Sequence, residues 1–390
     1  MNTQLKTIFV FLFLVCTLRG TAQNFSIDYP SYQNRNSDAL EISRIVRNDT
    51  ATILYMDAYS RPNYWIRLAS GLSLHGNQTG KNYPIIRSQG FELDKEVYMP
   101  ASGNVTFSLQ FAPLAPQEKM IDFIEGANKG DFQIKSISLN EQEKKGKIHC
   151  HISGKVIDSP QSSRLVLMKA HKNPSSSPWL SIPIRNGEFQ YDFYADHEEV
   201  YEVFIWNDML TGSWLPSLFF AENGPVSFTL YPASTRKPGL VSTSNPLTCE
   251  LQQLESERKA KFNFDSLYAQ MNKLYEENRF ESEALQTLWK KIEQVKDNNE
   301  ERNNIYRERD RLEESGEAYT EEGKALLAKI KQLNEEMNQW TIKHIKQNPS
   351  LPGLYVLTSK TEMARKGEDV TPFLNAYQET FASLYPEHPY

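Results

Sequence analysis

The stretch Leu180–Phe193, LSIPIRNGEFQYDF, decides how the middle of this chain folds. Asn186-Gly187 suits a two-residue type I′ turn, whose central positions both need φ > 0. With the turn there, Arg185 faces Glu188, Ile184 faces Phe189, Ile182 meets Tyr191 and Leu180 meets Phe193. The apolar residues then share one face, and a one-residue slip would turn them all to the other, so the register is strongly specified. Pro183 has no N–H to give a ladder, which places its strand at an edge. The pattern predicts a small antiparallel β-domain. A similar unit follows in Leu218–Phe220, Asn223-Gly224 and the alternating Val226, Phe228, Leu230.

Upstream, Val105, Phe107, Leu109 and Phe111 alternate strictly, which puts four apolar side chains on one sheet face. Thr52, Leu54, Met56 and Ala58 alternate more weakly, and Phe132, Ile134, Ile137 and Leu139 mark a closing strand. The Lys/Glu/Gly run from Glu141 to Lys147 has the composition of a linker. Downstream, proline vanishes from Leu247 to Asn348, and Gly316 and Gly323 are the only glycines there. Such a switch marks a helical region. It opens at Asn245-Pro246, where Pro suits the first turn of a helix. Leu285, Leu288, Ile292 and Val295 keep three-and-four spacing, as do Leu326, Ile330, Leu333, Met337 and Trp340. Glu314-Ser315-Gly316 interrupts them, so the spacing predicts two long helices folded back there as an antiparallel hairpin. The seam from Asn299 to Arg311 is polar, which leaves part of that hairpin weakly packed or dependent on a partner. Asn348-Pro349-Ser350 ends it, and shorter helices follow to Tyr390. The expected fold class is α+β and multidomain. Two antiparallel β-sandwich-like domains, 23–140 and 146–235, precede a helical region, 246–390.

The N-terminus carries its own signal. Lys6 gives a basic start, Thr7–Leu18 (TIFVFLFLVCTL) an apolar core, and Gly20-Thr21-Ala22 a small-residue cleavage site. The run is shorter than the roughly 20 residues of a spanning helix, which predicts a cleaved leader at 1–22. Phe13 and Val15 do not make Cys16 a lipoprotein site. No second apolar stretch of membrane length follows, so no span is expected after cleavage. The formal net charge of −6 becomes more negative by the two positives lost with Lys6 and Arg19. An acidic chain without basic blocks is a poor partner for nucleic acid or anionic lipid. After cleavage two of the three cysteines remain, Cys150 and Cys249. Two cysteines so far apart are no disulfide framework, and two separate buried thiols are expected, though a pair stays geometrically open.

Three short motifs carry a resemblance. Ile152-Ser153-Gly154-Lys155-Val156, Ile184-Arg185-Asn186-Gly187-Glu188-Phe189 and Phe219-Phe220-Ala221-Glu222-Asn223-Gly224 make His151–Leu230 similar to a β-domain of unknown function. That domain precedes the thioredoxin-like domain in envelope thiol-disulfide oxidoreductases of the TlpA/ResA kind. The helical segment with Asn348-Pro349 resembles that family's spacer. The first β-region resembles one that sometimes stands ahead of this domain in gut-dwelling Gram-negative bacteria. The resemblance implies a periplasmic or cell-envelope location. In the family a C-x-x-C pair follows the helices, whereas this sequence ends at His388-Pro389-Tyr390 with no C-x-x-C in it. Disulfide exchange needs an activated thiolate beside a resolving cysteine, so no catalytic residue carries over.

Other chemistry is sparse. On a strand His149 and His151 share one face and Cys150 the other, so the three cannot converge on one metal ion, and two ligands are too few. No G-x-S-x-G, Walker loop or G-x-G-x-x-G occurs. Glu321-Glu322 and Glu335-Glu336 lie on charged helix faces and read as solvated. Asp49-Thr50-Ala51 and Asp265-Ser266-Leu267 match a short O-glycan acceptor motif of that bacterial group. Trp206 fits a β core. Trp179 and the loop-borne Trp214 are candidate ligand contacts, since aromatics can stack on sugars or hold apolar molecules. Leu333 and Met337 are candidate contacts for a protein partner, either a second copy or a thioredoxin-like envelope protein. The sequence therefore predicts a non-catalytic exported binding or scaffolding protein without cofactor or metal. The alternatives are an accessory or truncated member of a thiol-disulfide exchange system, and glycan or lipid binding by the β-domains.

Overall fold

The computed structural model describes residues 25–128, 130–140, 145–174, 177, 179–295, 298–364 and 368–390. The leader read at 1–22 and the linker residues 141–144 lie outside them. The fold is α+β with several sheets and a C-terminal helical region, and the chain divides after Ser242 into two compact units.

The first unit opens with eleven strands: β1 (Phe25–Asp28), β2 (Asn34–Arg35), β3 (Leu40–Arg47), β4 (Thr52–Tyr59), β5 (Trp65–Ile66), β6 (Ser73–Gly76), β7 (Asn82–Gln89), β8 (Val97–Tyr98), β9 (Asn104–Phe111), β10 (Met120–Ile124) and β11 (Gln133–Ser138). Nine form one sheet in the order β1-β3-β4-β9-β7-β6-β10-β11-β2, and β5 pairs with β8. The strict alternation seen in the sequence sits at its centre. Thr52, Leu54, Met56 and Ala58 stand opposite Phe111, Leu109, Phe107 and Val105. Thr52, Leu54, Met56 and Ala58 are fully buried, and the apolar residues of these strands join one continuous core. Ile134 and Ile137 both point inward despite their odd spacing because the ladder slips between β10 and β11. Ile121 faces Ile137 while Phe123 faces Ile134, and Ser136 takes up the extra residue at φ 55°.

Eight strands follow: β12 (Ile148–Val156), β13 (Arg164–Lys169), β14 (Leu180–Pro183), β15 (Glu188–Ala195), β16 (Val200–Ile205), β17 (Ser217–Phe220), β18 (Gly224–Leu230) and β19 (Leu240–Thr243), with the short helix α1 (Trp206–Leu210) after β16. They make two four-stranded sheets, β15-β12-β18-β19 and β14-β13-β16-β17, closed on a second core.

The strand pairing here differs from the expected hairpin. The Asn186-Gly187 turn forms as expected, with φ 53° and 76° and a reciprocal pair of hydrogen bonds between Arg185 and Glu188. Beyond that pair there is no hairpin, because β14 joins β13 and β15 joins β12 in the opposite sheet. Ile182, Ile184, Phe189, Tyr191 and Phe193 do share one core, but they reach it from two sheets. Period-two alternation tells which face is buried and not which strand lies alongside. The second proposed unit fails for the same reason. β17 pairs with β16, while β18 lies parallel to β12. Pro183 does stand on an edge strand, since β14 ends its sheet.

β14 and β15 are both edge strands, so together they form one open side of the sandwich. The first β-region packs on part of that side. Tyr29 packs on Tyr191 at 4.3 Å between ring centres, and Arg185 reaches the buried Asp57 carboxylate (3.4 Å) and the Thr106 hydroxyl (3.2 Å).

The second unit contains α2 (Pro246–Lys261), α3 (Asp265–Glu276), α4 (Glu283–Gln294), α5 (Asn299–Ser315), α6 (Glu321–Gln347), α7 (Leu351–Glu362) and α8 (Thr371–Ala376). Pro246 takes the first turn of α2, and Ser350 caps α7 through the Gly353 N–H. The hairpin differs from the expectation. Gly316 does break the helix, at φ 73° as a left-handed cap, but α5 pairs with α4 and α6 pairs with α3. Leu285 and Leu288 therefore pack on Ile305 and Ala318, not on the Leu326–Trp340 row. The break at 316–320 is clasped to the one at 277–282. Ser282 N–H donates to the Ala318 carbonyl and Thr320 N–H to that of Phe280. Two breaks at one level satisfy each other's backbone groups, and α4 and α5 are the paired arms of the hairpin, which therefore does not turn at Gly316.

Candidate binding cleft between the two β cores

Where the two cores of the first unit meet, they leave a cleft of about 1110 Å³. One wall comes from β1 to β4 and brings Tyr29, Tyr32, Arg35, Asp38, Glu41 and Tyr59. The other comes from β13 to β16 and brings Lys169, Trp179, Ser181, Tyr191, Asp192 and Tyr194.

Behind the lining lies a stack of cations and rings that reaches the cleft through Arg35, Tyr59 and Trp179. Arg164 heads the apolar run RLVLM of β13, and its side chain is only 2% exposed. Its guanidinium lies 4.1 Å from the Trp206 ring centre, 4.4 Å from that of Tyr59 and 5.5 Å from that of Trp179. It donates to the Asp38 carbonyl (2.8 Å) and meets the Asp38 carboxylate at 3.3 Å. Burial lowers its pKa, and the nearby Asp38 charge opposes that shift without cancelling it. Arg35 stands on the indole of Trp179, 4.9 Å from the ring centre, and binds Glu41. Burial raises the pKa of the Glu41 carboxyl, with the charge and hydrogen bond of Arg35 pulling the other way. Stacking of planar guanidinium on aromatic faces is the arrangement that Arg, unlike Lys, can make. Burial also lifts the phenols of Tyr32, Tyr59 and Tyr191, which keeps them neutral donors.

His149 and His151 share one face of β12, as the strand pattern requires. Both rings meet one oxygen of Asp192, at 2.8 and 3.0 Å, and Tyr194 stacks on His149. Burial raises the Asp192 pKa, but the hydrogen bonds to both rings outweigh it and hold the carboxyl below its usual range. Cys150 points the other way into the core, where burial pushes its thiol up to about 12. Among the described residues no group of His, Cys, Asp or Glu could hold a metal ion.

Of the residues singled out from sequence, Trp179 lines the cleft. Trp214 does not. It stacks on Phe204 at 5.6 Å, on the outer face of the sheet that carries β13. Leu333 and Met337 lie half-buried on α6 in the other unit. Cys249 is a free, half-buried thiol that donates to the Thr243 carbonyl. The sequence reading missed Tyr29, Tyr32, Arg35, Glu41 and Arg164. The one visible signal was a lone arginine opening an apolar strand, since Arg is almost never fully buried unless paired.

Glu202 shares the outer face with Phe204 and Met168 and is 5% exposed. Burial pushes its carboxyl up to about 7, against a backbone hydrogen bond at His171 that lowers it. The folded protein then holds a proton that the unfolded chain releases nearer pH 4.5. The stability tied to it is complete below that value and is lost as pH rises through about 7. Replacing Glu202→Gln should remove this loss, gaining on the order of 2 kcal/mol over the parent at pH 8 and little at pH 5. Urea midpoints at the two pH values check it, and equal effects at both would refute the assignment.

No family model matches the chain, and no curated protein does. Among solved structures it is similar to the type I pullulanase of Bacillus subtilis str. 168 complexed with maltose, at 11% identity and TM-score 0.13, covering 43% of this chain and 23% of that one. It is similar to the Bacillus anthracis TIE protein at 9% identity and TM-score 0.14, covering 54% and 40%. It is also similar to the apo form of translation elongation factor SelB from Methanococcus maripaludis, at 8% identity and TM-score 0.13, covering 57% and 50%. The matches thus span between about a quarter and half of those chains. Among the described residues no helix is long and apolar enough to cross a membrane. At such TM-scores the three likenesses carry no argument, so function is argued from the cleft.

Proposed function

We propose that this chain is an exported, non-catalytic binding protein of the cell envelope that holds its ligand in the cleft between its two β cores. The cleft itself supports the reading. It is a concave site of ligand size, walled by rings and by polar groups fixed in networks, which is how small-molecule sites are built. Its rigidity follows from the same networks, because Arg164, Arg35 and Arg185 each tie one wall to fixed partners. The Leu333 and Met337 row on α6 offers a place for a protein partner, a role read by light scattering of the Leu333→Asp, Met337→Asp double variant. Cys150 has no direct part in disulfide exchange on this reading, because burial in the second core keeps its thiol protonated.

Asn34 is exposed on β2 and lines the cleft, so Asn34→Trp adds bulk there without removing a core side chain. Native mass spectrometry of the protein incubated with a small-molecule extract of the cell envelope should show a retained compound. The Asn34→Trp variant should lose it by tenfold or more. Equal retention by both proteins would place the ligand elsewhere and end this reading.

A further inference from the structure

We infer that the ligand of this cleft is an uncharged, polyhydroxylated molecule of the saccharide class, an inference that rests on the cleft being the binding site. The charged groups of the cleft already have protein partners. Arg35 is bound to Glu41, Asp38 to Arg164 and Asp57 to Arg185, and one oxygen of Asp192 is hydrogen-bonded to two histidine rings. At the rim Lys147 meets Asp196 at 3.0 Å and Lys169 meets Glu199, and Lys172 also has a partner. A charged ligand would therefore have to break an existing pair or lie in the cleft without one, and both are costly.

A purely apolar ligand fits no better. It would strip water from the exposed amides of Gln33 and Asn34 in the lining, without replacing their hydrogen bonds. Ser181 sharpens the point. It lines the cleft, is 6% exposed, and its Oγ meets no hydrogen-bond partner among the described residues. This hydroxyl is one more polar group of the wall that an apolar ligand would leave without a partner. Six tyrosines line the cleft beside apolar residues such as Ile27, Ile42, Leu167 and Phe193, and burial keeps the phenols of Tyr32, Tyr59 and Tyr191 neutral. A sugar matches that mixture, since its C–H faces lie on rings while its hydroxyls exchange hydrogen bonds in both directions.

Isothermal titration of the full protein decides the matter with four classes of probe: neutral hexasaccharides (cellohexaose, maltohexaose, mannohexaose), hexagalacturonate, palmitate and a tetra-alanine peptide. A neutral hexasaccharide should bind, with Asn34→Trp weakening it at least tenfold, and hexagalacturonate should bind at least tenfold less tightly. If hexagalacturonate, palmitate or the peptide binds best and Asn34→Trp abolishes that binding, the saccharide class is wrong and the cleft remains the site. If Asn34→Trp changes binding in no arm, both inferences fall.

Discussion

Replacing Arg164 with alanine is expected to destabilise the first unit by about 3–4 kcal/mol, a large loss for one side chain. Three losses combine. A side chain packed between Tyr59, Trp179 and Trp206 leaves a cavity among three rings. The cation that those rings face disappears, and the Asp38 carbonyl loses its donor at 2.8 Å. The Asp38 carboxylate is about half exposed, so water can take over there and its own penalty is small. This is why the loss resides in packing and not in the ion pair. Two further variants separate these parts. Arg164→Met keeps an apolar stem and should recover part of the loss. Arg164→Lys keeps the charge without the planar group, and should recover less than its formal similarity suggests. Guanidinium denaturation checks the series. If Arg164→Lys equalled the parent, stacking of the guanidinium would have no part in the fold. Arg164 also fixes Asp38, which lines the cleft, so Arg164→Ala should weaken any ligand the cleft holds.

Strand interiors were legible in the sequence because burial imposes alternation. Val105 to Phe111 and Thr52 to Ala58 were found on that ground and pair with each other in the structure. Neighbour relations were not legible. Leu180–Phe193 alternates identically whether its halves form one hairpin or face each other across a core, and the residues beside the turn, Arg185 and Glu188, pair in either case. The helices show the same limit. Gly316 was found as a break, but the matching break at 277–282 carries no glycine or proline, so only the clasp between Phe280 and Thr320 reveals where the chain turns. Most of the cleft escaped because it is assembled across more than a hundred residues. Asp38 meets Arg164 and Asp57 meets Arg185 only once both cores have formed. Trp179 was found by residue type alone, since a large ring outside a clean alternation often lines a site.

Gly154→Ala should cost about 3 kcal/mol or more, from the addition of one methyl group. β12 is an interior strand between β15 and β18, with Gly154 facing Phe189 on one side and Phe228 on the other. A Cβ there would come within 2.2 Å of the Phe228 carbonyl oxygen and 2.9 Å of the tip of the Phe189 ring. The ring could swing aside, but the oxygen belongs to the backbone of the parallel ladder and can retreat only if β18 shifts. The glycine thus lets two phenylalanines from the flanking strands close over the gap, 6.3 Å apart between ring centres, and they supply the apolar cover that its own side chain lacks. Its place in the Ile152–Val156 motif has this physical reason, whatever the chain binds. Gly71→Ala is the control, because nothing lies within 4 Å of a Cβ built there and its φ is ordinary. It should change stability by less than about 0.5 kcal/mol. Urea denaturation of both variants, followed by far-UV circular dichroism, makes the comparison. Equal stability of the two would mean that β12 and β18 are not held as close as the parallel ladder requires, and the pairing that organises the second core would be wrong.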